Sequence, residues 1–366
     1  MDTTDSKISF NSEGVCDHCT TYDKKIKPIF DNLDHSENDI QKIVNQIKKA
    51  GKNKDFDCIM GMSGGIDSSF LLHKMVTKFG LRPLVFHVDA GWNSQIAVNN
   101  IEKIIDKLNL DLYTEVINWK EMQDLQLSFF KSGVSHIDTP QDHAFFATMY
   151  KFANKHKIRY ILTGGNYSTE CIRNPLEWMW YQSDSTQLKD IQKKHGTIKL
   201  KNFPLTNILW HKIYLPYFKK IKLLRPLDLM RYDKNKALTE LENEYGFLRY
   251  PQKHFESRFT RFYESYWLYE RFGYDTRKVQ YSSLILTNQM TRKEALEKLK
   301  KKPYDLKNIK IDFEYIATKL GITVETLDEY FKLPIKTHMD YKSQNYIYVL
   351  GAFFSKLFNI ERGGKR

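Results

Sequence analysis

At roughly 150 residues per domain, a chain of 366 residues has room for two domains, or for one large domain with additions. Hydrophobic residues at 41% and aromatics at 14% exclude a disordered chain. The net charge of +13 comes from 44 Lys against 13 Arg spread along the sequence, the pattern of a solvated surface, so nucleic acid is not an expected partner. No apolar run reaches about 18 residues, MDTTDSKISF lacks the features of a signal peptide, and four unevenly spaced cysteines give no disulfide framework. A cytoplasmic protein without membrane insertion is expected.

The first 35 residues are polar and hold Cys16-Asp-His-Cys19. A helix is expected from Ser36, with Asp39 as capping-box partner, a stripe of Ile40, Ile43, Val44 and Ile47, and Gly51 as its stop. FDCIMG (56–61) reads as a buried strand, followed by a glycine turn and an amphipathic helix to Phe79. LVFHVD (84–89) is a second strand, and residues 95–108 form a helix with Ala97, Ile101, Ile104, Ile105 and Leu108 on one face. DLYTEV (111–116) is a third strand. A helix over 141–156 leads to a fourth, around 159–164, ending in Gly164-Gly165-Asn166. Short apolar strands alternating with amphipathic helices mean βαβ units and a parallel sheet, whose ligands bind at the carboxyl ends of the strands. Beyond residue 175 the pattern turns helical, basic and aromatic, most clearly at 232–244, 258–271 and 291–300, the last capped by Thr291 with Glu294.

The sharpest feature is Ser63-Gly64-Gly65-Ile66-Asp67-Ser68, set between strand and helix. Two glycines allow a tight turn and bring backbone N–H groups close to an anion. The following helix aims its positive end at the same point, and the Ser63 and Ser68 hydroxyls add donors. Asp67 would repel a bare phosphate, so it makes sense beside a bound Mg²⁺. No Gly-Lys-Ser/Thr is present, so this is not a Walker loop. The SGGxDS pattern resembles the pyrophosphate-binding loop of the PP-loop ATPases, which cleave ATP between the α- and β-phosphates and adenylate a substrate oxygen.

In order along the chain come ISFNSEGVCDHC, SGGIDSS, HVDAGWNSQIAVNNI, TGGNYSTE, RPLDLMRYDKNKAL and HFESRFTRFYESYWL…SSLILTNQMTRKEAL. Together, from about residue 1 to about 345, they resemble the N-acetyl sugar amidotransferases of bacterial surface-polysaccharide pathways. These enzymes make acetamidino sugars for O-antigens and for pseudaminic or legionaminic acid. The resemblance implies an α/β fold: a parallel-sheet PP-loop ATP pyrophosphatase (adenine nucleotide alpha hydrolase-like) domain over 36–230. An N-terminal CxxC arm over 1–35 would precede it, and a mostly helical C-terminal region over 231–366 would bind substrate or partner. It also implies ATP and Mg²⁺ as cofactors, an activated N-acetyl sugar as substrate, and ammonia from a separate glutaminase. The sequence agrees on the last point, since a glutaminase needs an activated Cys and neither Cys171 in TECIRNP nor strand residue Cys58 has that setting.

His87 and Asp89 end the second strand, where they reach a nucleotide or simply cap the strand. The resemblance brings the Gly164-Gly165 turn beside adenine or ribose and makes Asn166 and Glu170 candidates for the sugar site. In HFESRFTR, His254 and Glu256 precede Arg258 and Arg261, an i, i+3 pair that either holds a substrate phosphate or carboxylate or belongs to an ion-pair network. The run FYESYWLYERFGY reads as helix packing. Cys16 and Cys19 are half a zinc site, with His18 a poor substitute ligand. Family members carry a second CxxC upstream, followed by a VMDTTD-like segment that Met1–Asp5 resembles. The expectation is an incomplete site that binds zinc weakly or not at all, on an arm poorly ordered or packed only through Ile8, Phe10 and Val15. Two competing functions stand beside the amidotransferase: a PP-loop tRNA-modifying enzyme (thiolation or lysidine formation) and a non-enzymatic nucleotide-binding subunit that scaffolds a glutaminase.

Overall fold

The computed structural model describes residues 1–31, 33 and 37–357, with the side chains of 37 and 354–357 left aside. The helix start expected at Ser36 lies outside the described residues; the helix runs Glu37–Gly51. Five strands, β1 (Cys58–Gly61), β2 (Pro83–Asp89), β3 (Leu112–Val116), β4 (Tyr160–Leu162) and β5 (Lys222–Leu224), form one sheet in the order β3-β2-β1-β4-β5. Every pairing is parallel, with Met60 opposite both Val85 and Leu162.

The order follows from burial. Alternate residues of the central strands point to opposite faces. Cys58, Met60, Val85 and Leu162 pack against helices Glu37–Gly51, Ile66–Thr77, Gln95–Leu108 and Lys234–Tyr245. Ile59, Phe86, Val88 and Ile161 pack on the other face against helices Trp119–Ser132, Thr139–Lys155 and Ser185–His195. The sheet is thus covered on both sides, as a parallel sheet must be. β1 lies at its centre, where the strand order reverses direction, so the turn after β1 opens into the crevice at the carboxyl edge.

Past residue 231 the described elements are helical. The expected 258–271 helix is a continuous run, Arg258–Phe272, with a π-turn at Tyr263–Trp267 and a left-handed Gly273 as its stop. Its aromatics are core: Phe259, Phe262 and Trp267 are fully buried, and Phe259 lies 4.9 Å from Trp92, ring centre to ring centre. The Thr291–Glu294 capping box forms as expected.

The N-terminal arm differs from expectation. Phe10 and Val15 are exposed. Met1–Ser6 hold the arm instead: the Met1 ammonium donates to Ser282 Oγ at 2.7 Å, Trp178 Nε1 donates to the Thr4 carbonyl at 3.2 Å, and Ser6 N donates to Glu177 at 2.8 Å. Those partners lie far along the chain, so local hydropathy could not reveal them.

Candidate functional site

The β1 ladder ends with Met62 N on the Phe86 carbonyl, and the chain then turns through Ser63-Gly64-Gly65 into the helix Ile66–Thr77. Gly64 sits at φ +80°, and a Cβ there would lie 2.7 Å from the Ala97 carbonyl oxygen, so only glycine makes this turn. Gly65 caps the helix without a side-chain bond, which leaves the first-turn N–H groups of Ile66, Asp67 and Ser68 without intrahelical partners. Ser63 and Ser68 brace the turn: their hydroxyls are 3.2 Å apart, Gly65 N donates to Ser63 Oγ, and Ser68 Oγ donates to the Gly65 carbonyl.

From the other side comes the turn after β4. A Cβ on Gly164 would stand 2.6 Å from Ser68 N, so the two backbones touch. Arg225 and Asp228 buttress this turn. Arg225 Nε donates to the Gly165 carbonyl (3.1 Å), and Asp228 accepts from Tyr167 N (2.7 Å). Burial pushes the Asp228 carboxyl up to about 6 despite the Arg225 charge.

Between the two turns Lys253 joins the acids. Its Nζ lies 3.1 Å from Asp67 Oδ2, 2.7 Å from Glu170 Oε1 and 3.0 Å from Thr169 Oγ1. Tyr232 donates to Asp67 Oδ1. Burial opposes the Asp67 charge, but the Lys253 ammonium and the Tyr232 hydroxyl outweigh it and hold this carboxyl below the usual range. Glu170 is held low in the same way, burial being outweighed by Lys253, and the pair drives the Lys253 pKa upward against its own burial.

A short backbone pairing sets Glu256 against the loop. Ser94 N donates to the Glu256 carbonyl (2.8 Å) and Arg258 N to the Trp92 carbonyl (2.9 Å). Glu256 Oε1 then stands 3.5 Å from Ser63 Oγ, and burial pushes its carboxyl above the usual range although His254 and Lys253 pull the other way. His254, left-handed at φ +67°, is fixed by the buried Glu264 at 2.8 Å. Burial lowers its pKa, but Glu264 more than reverses this and raises it to about 9.

These groups line one cavity of about 600 Å³ at the carboxyl edge of the sheet, a size ordinary for a cofactor site. Ser63, Gly65, Ile66, Asp67, Ser68, His87, Gly164 and Glu170 all face it. His87 donates through Nδ1 to the Met62 carbonyl (2.8 Å) and accepts from Asn93 through Nε2 (2.9 Å), so it shapes the floor. A second cavity of about 240 Å³ shares Lys234, Lys253 and Lys298 with the first and adds Gln280, Tyr281 and Gln289.

Several expected residues take other roles. Asp89 accepts from Gly91 N (2.7 Å) and Asn93 (3.2 Å), capping the end of β2. Gly64 contributes its carbonyl to the Tyr250 hydroxyl at 3.0 Å. Asn166, expected at the sugar site, is fully buried: its oxygen caps Thr169 N (2.8 Å) and its amide donates to the Gly164 carbonyl (3.0 Å). Of the two readings for Arg258 and Arg261, a substrate anion or an ion-pair network, the network is what forms: both pair with the buried Asp312, at 3.3 Å for Arg258 Nη2 and 3.0 Å for Arg261 Nε. Arg258 also stacks 3.6 Å over the Tyr315 ring. Glu170, expected to face the sugar, lines the cavity beside Asp67, both carboxylates meeting Lys253. Tyr232, Lys234 and Lys253 were missed, although the first two lie in RPLDLMRYDKNKAL and the third directly before HFESR.

The donor set suits magnesium: two hard carboxylates, Asp67 and Glu170, already gathered on one cation, leave the remaining positions to phosphate oxygens and water. Cys16 and Cys19 are 3.5 Å apart, sulfur to sulfur, and His18 faces Asp5 at 2.8 Å. Burial pushes the Cys19 thiol up to about 11. Among the described residues no three His, Cys, Asp or Glu side chains are grouped to hold a metal. No helix among them is long and apolar enough to cross a membrane.

The strand–SGGIDS–helix turn at the centre of a parallel sheet makes this an α/β protein, and the turn resembles a PP-loop in sequence and setting. Residues 256–355 match the family described as LPS biosynthesis protein WbpG-like, C-terminal domain. Over those residues the chain is similar to the WbpG-like proteins of LPS biosynthesis. It is also similar, at 26% identity over 160 residues, to an uncharacterized protein of Methanocaldococcus jannaschii; the match takes in 43% of this chain and 53% of that one, so the chain spans about half the length of this relative. Two solved structures overlap at 15% identity. The NH3-dependent NAD synthetase of Campylobacter jejuni covers 82% of this chain and 98% of its own, with a TM-score of 0.29. The NMN synthetase of Francisella tularensis covers 71% and 95%, with a TM-score of 0.30.

Proposed function

We propose that the chain is an ATP-dependent, AMP-forming amidotransferase that converts the N-acetyl group of an activated sugar into an acetamidino group, using ammonia from a separate glutaminase. The observation that carries this reading is the SGGIDS turn set against the Asp67–Lys253–Glu170 cluster in one cavity, where the WbpG-like region contributes Glu256, Ser257 and Lys298 to the lining.

The chain's own groups divide the work. The N–H groups of Ile66, Asp67 and Ser68 and the serine hydroxyls hold the β- and γ-phosphates at a helix N-terminus. Asp67 and Glu170 would hold the magnesium that travels with ATP, which would supply positive charge where the leaving pyrophosphate gathers negative charge. The acceptor lies toward the second cavity, whose lysines suit the anionic group of an activated sugar. Its acetamido oxygen attacks the α-phosphorus; that O–P bond forms as the bond to the β-phosphate breaks. Ammonia then attacks the imidoyl carbon and AMP leaves. A cavity walled by Phe86, Phe145 and Met149 limits water, which would otherwise compete for the adenylate. Cys171, buried and bonded to the Ser283 carbonyl, has its pKa pushed up by burial to about 11, which suits neither a glutaminase nor a thiolation nucleophile.

The test is turnover by the pure chain with ATP, Mg²⁺, ammonium chloride and a panel of nucleotide-activated N-acetyl sugars. AMP and an acetamidino product are expected, with glutamine failing to replace ammonium. ADP as the nucleotide product overturns the adenylation, and glutamine working as well as ammonium removes the separate glutaminase. D67N should lower the rate by at least about a hundredfold if Asp67 orders the metal.

A further inference from the structure

Lys253 stands where a metal ion would be expected. Its three N–H donors are all spent on oxygens: Asp67 Oδ2, Glu170 Oε1 and Thr169 Oγ1, at 3.1, 2.7 and 3.0 Å. A lysine ammonium is a compact point charge on a four-carbon stem, so it can imitate a small cation and can also leave. Two carboxylates gathered in a part-buried cleft stay ionised together only with a cation between them; without one, one of them takes up a proton.

The backbone that carries the side chain suits an exchange. Lys253 lies in a stretch without helix or strand between Gly246 and Ser257. The stretch is pinned on one side by His254 on Glu264 and on the other by Tyr250 on the Gly64 carbonyl. The anchors fix the main chain on both sides of Lys253, so an exchange of partners would be made by its four-carbon stem alone. Both cavities are lined by Lys253, so its ammonium can leave the carboxylates without leaving the site.

We propose that Lys253 is a tethered counter-ion: without nucleotide its ammonium holds Asp67 and Glu170 in place, and when metal and nucleotide occupy the site it moves from the carboxylates to the nucleotide's phosphate oxygens. This rests on the reading of residues 63–68 as a phosphate site. It predicts an ordered dependence. The bare chain binds a divalent cation poorly because the cation must compete with Lys253, whereas the nucleotide's phosphates give the displaced ammonium a new partner. Metal and nucleotide therefore bind with positive coupling, and Lys253 is a source of that coupling.

The experiment titrates the full chain with Mn²⁺ alone, followed by electron paramagnetic resonance, and then with a non-hydrolysable ATP analogue in the presence of Mg²⁺. Wild type, K253M and K253Q are compared, the glutamine variant covering the case in which the methionine variant fails to fold. The expected result is Mn²⁺ binding at least tenfold tighter in the variants than in wild type, together with analogue binding at least tenfold weaker. A lysine that merely stabilises the fold would not make metal binding tighter. Unchanged or weaker Mn²⁺ binding in both folded variants overturns the proposal while leaving the nucleotide site standing. Wild-type chain that binds no analogue at any Mg²⁺ concentration overturns both.

Discussion

The hydroxyl of Tyr250 donates to the carbonyl of Gly64 across 3.0 Å and 186 residues of sequence. With Lys253 on Asp67 and Glu256 beside Ser63, this bond ties the segment carrying Lys253, His254 and Glu256 to the glycine turn. Y250F should keep the fold, because the ring still packs against Phe247, but loosen the turn. A neutral hydrogen bond contributes about 1 kcal/mol, so KM for ATP should rise about fivefold with little change in melting temperature. Initial-rate kinetics beside a thermal melt check both halves.

Gly164 offers a sharper test of how closely the two turns meet. In G164A the added methyl would stand 2.6 Å from Ser68 N and 2.7 Å from the Asp67 carbonyl carbon, both main-chain atoms that cannot rotate away. Either the β4 turn or the helix N-terminus must shift, at a cost of about 1–3 kcal/mol. Loss of ATP binding should exceed the loss of stability, read by calorimetric titration against chemical denaturation. Binding unchanged in a folded G164A would contradict the close contact.

Asp312 accepts from both Arg258 and Arg261, and it is almost wholly buried. Removing either guanidinium leaves a buried carboxylate with one partner. R261A should therefore destabilise the chain by about 2–3 kcal/mol, less than a fully buried pair would cost because Arg261 is partly exposed. KM for the sugar should stay within about twofold, since neither arginine lines the cavity. A large rise in KM without a loss of stability would restore these arginines to the substrate.

The His254–Glu264 pair makes stability depend on pH. Folding raises the His254 pKa from 6.5 to about 9, with Glu264 overcoming burial. The pair's contribution is thus complete below about pH 6.5, shrinks as pH rises, and is gone above about pH 9. Between those limits the unfolding free energy should fall with a slope approaching one proton, and H254Q should flatten it. Denaturation midpoints at pH 6, 7.5 and 9 measure the slope.

What the sequence made legible, and what it hid, follows from the range of the forces involved. The helix expected over 95–108 is found at Gln95–Leu108, because its apolar spacing and Ser94 cap are local. The SGGIDS turn was legible because its glycines have a steric reason to be there. β5 was not: Lys222–Leu224 shows no alternation and becomes a strand only by pairing with β4. The roles of Lys253 and of Asp312 were hidden for a related reason. Lys253 meets Glu170 and Asp67 from 83 and 186 residues away, and Asp312 meets Arg261 from 51, separations at which spacing carries no signal. Asn166 was misread because a buried amide at a helix start and a sugar-binding amide look the same in sequence.

Lys253 also bears on how the chain is made. During synthesis the sheet through β4, the glycine turn and both acids leave the ribosome well before residue 253 does. Until then Asp67 and Glu170 would face each other across an open cleft with no ammonium between them. The SGGIDS turn therefore gains its remaining contacts only when the segment from Tyr250 to Ser257 docks beside Trp92–Ser94. A nascent or proteolytically shortened chain ending before Lys253 would carry the SGGIDS turn and yet be a poor consumer of ATP. On the proposed reading, ATP use by the chain thus depends on the C-terminal region as well as on the glycine turn.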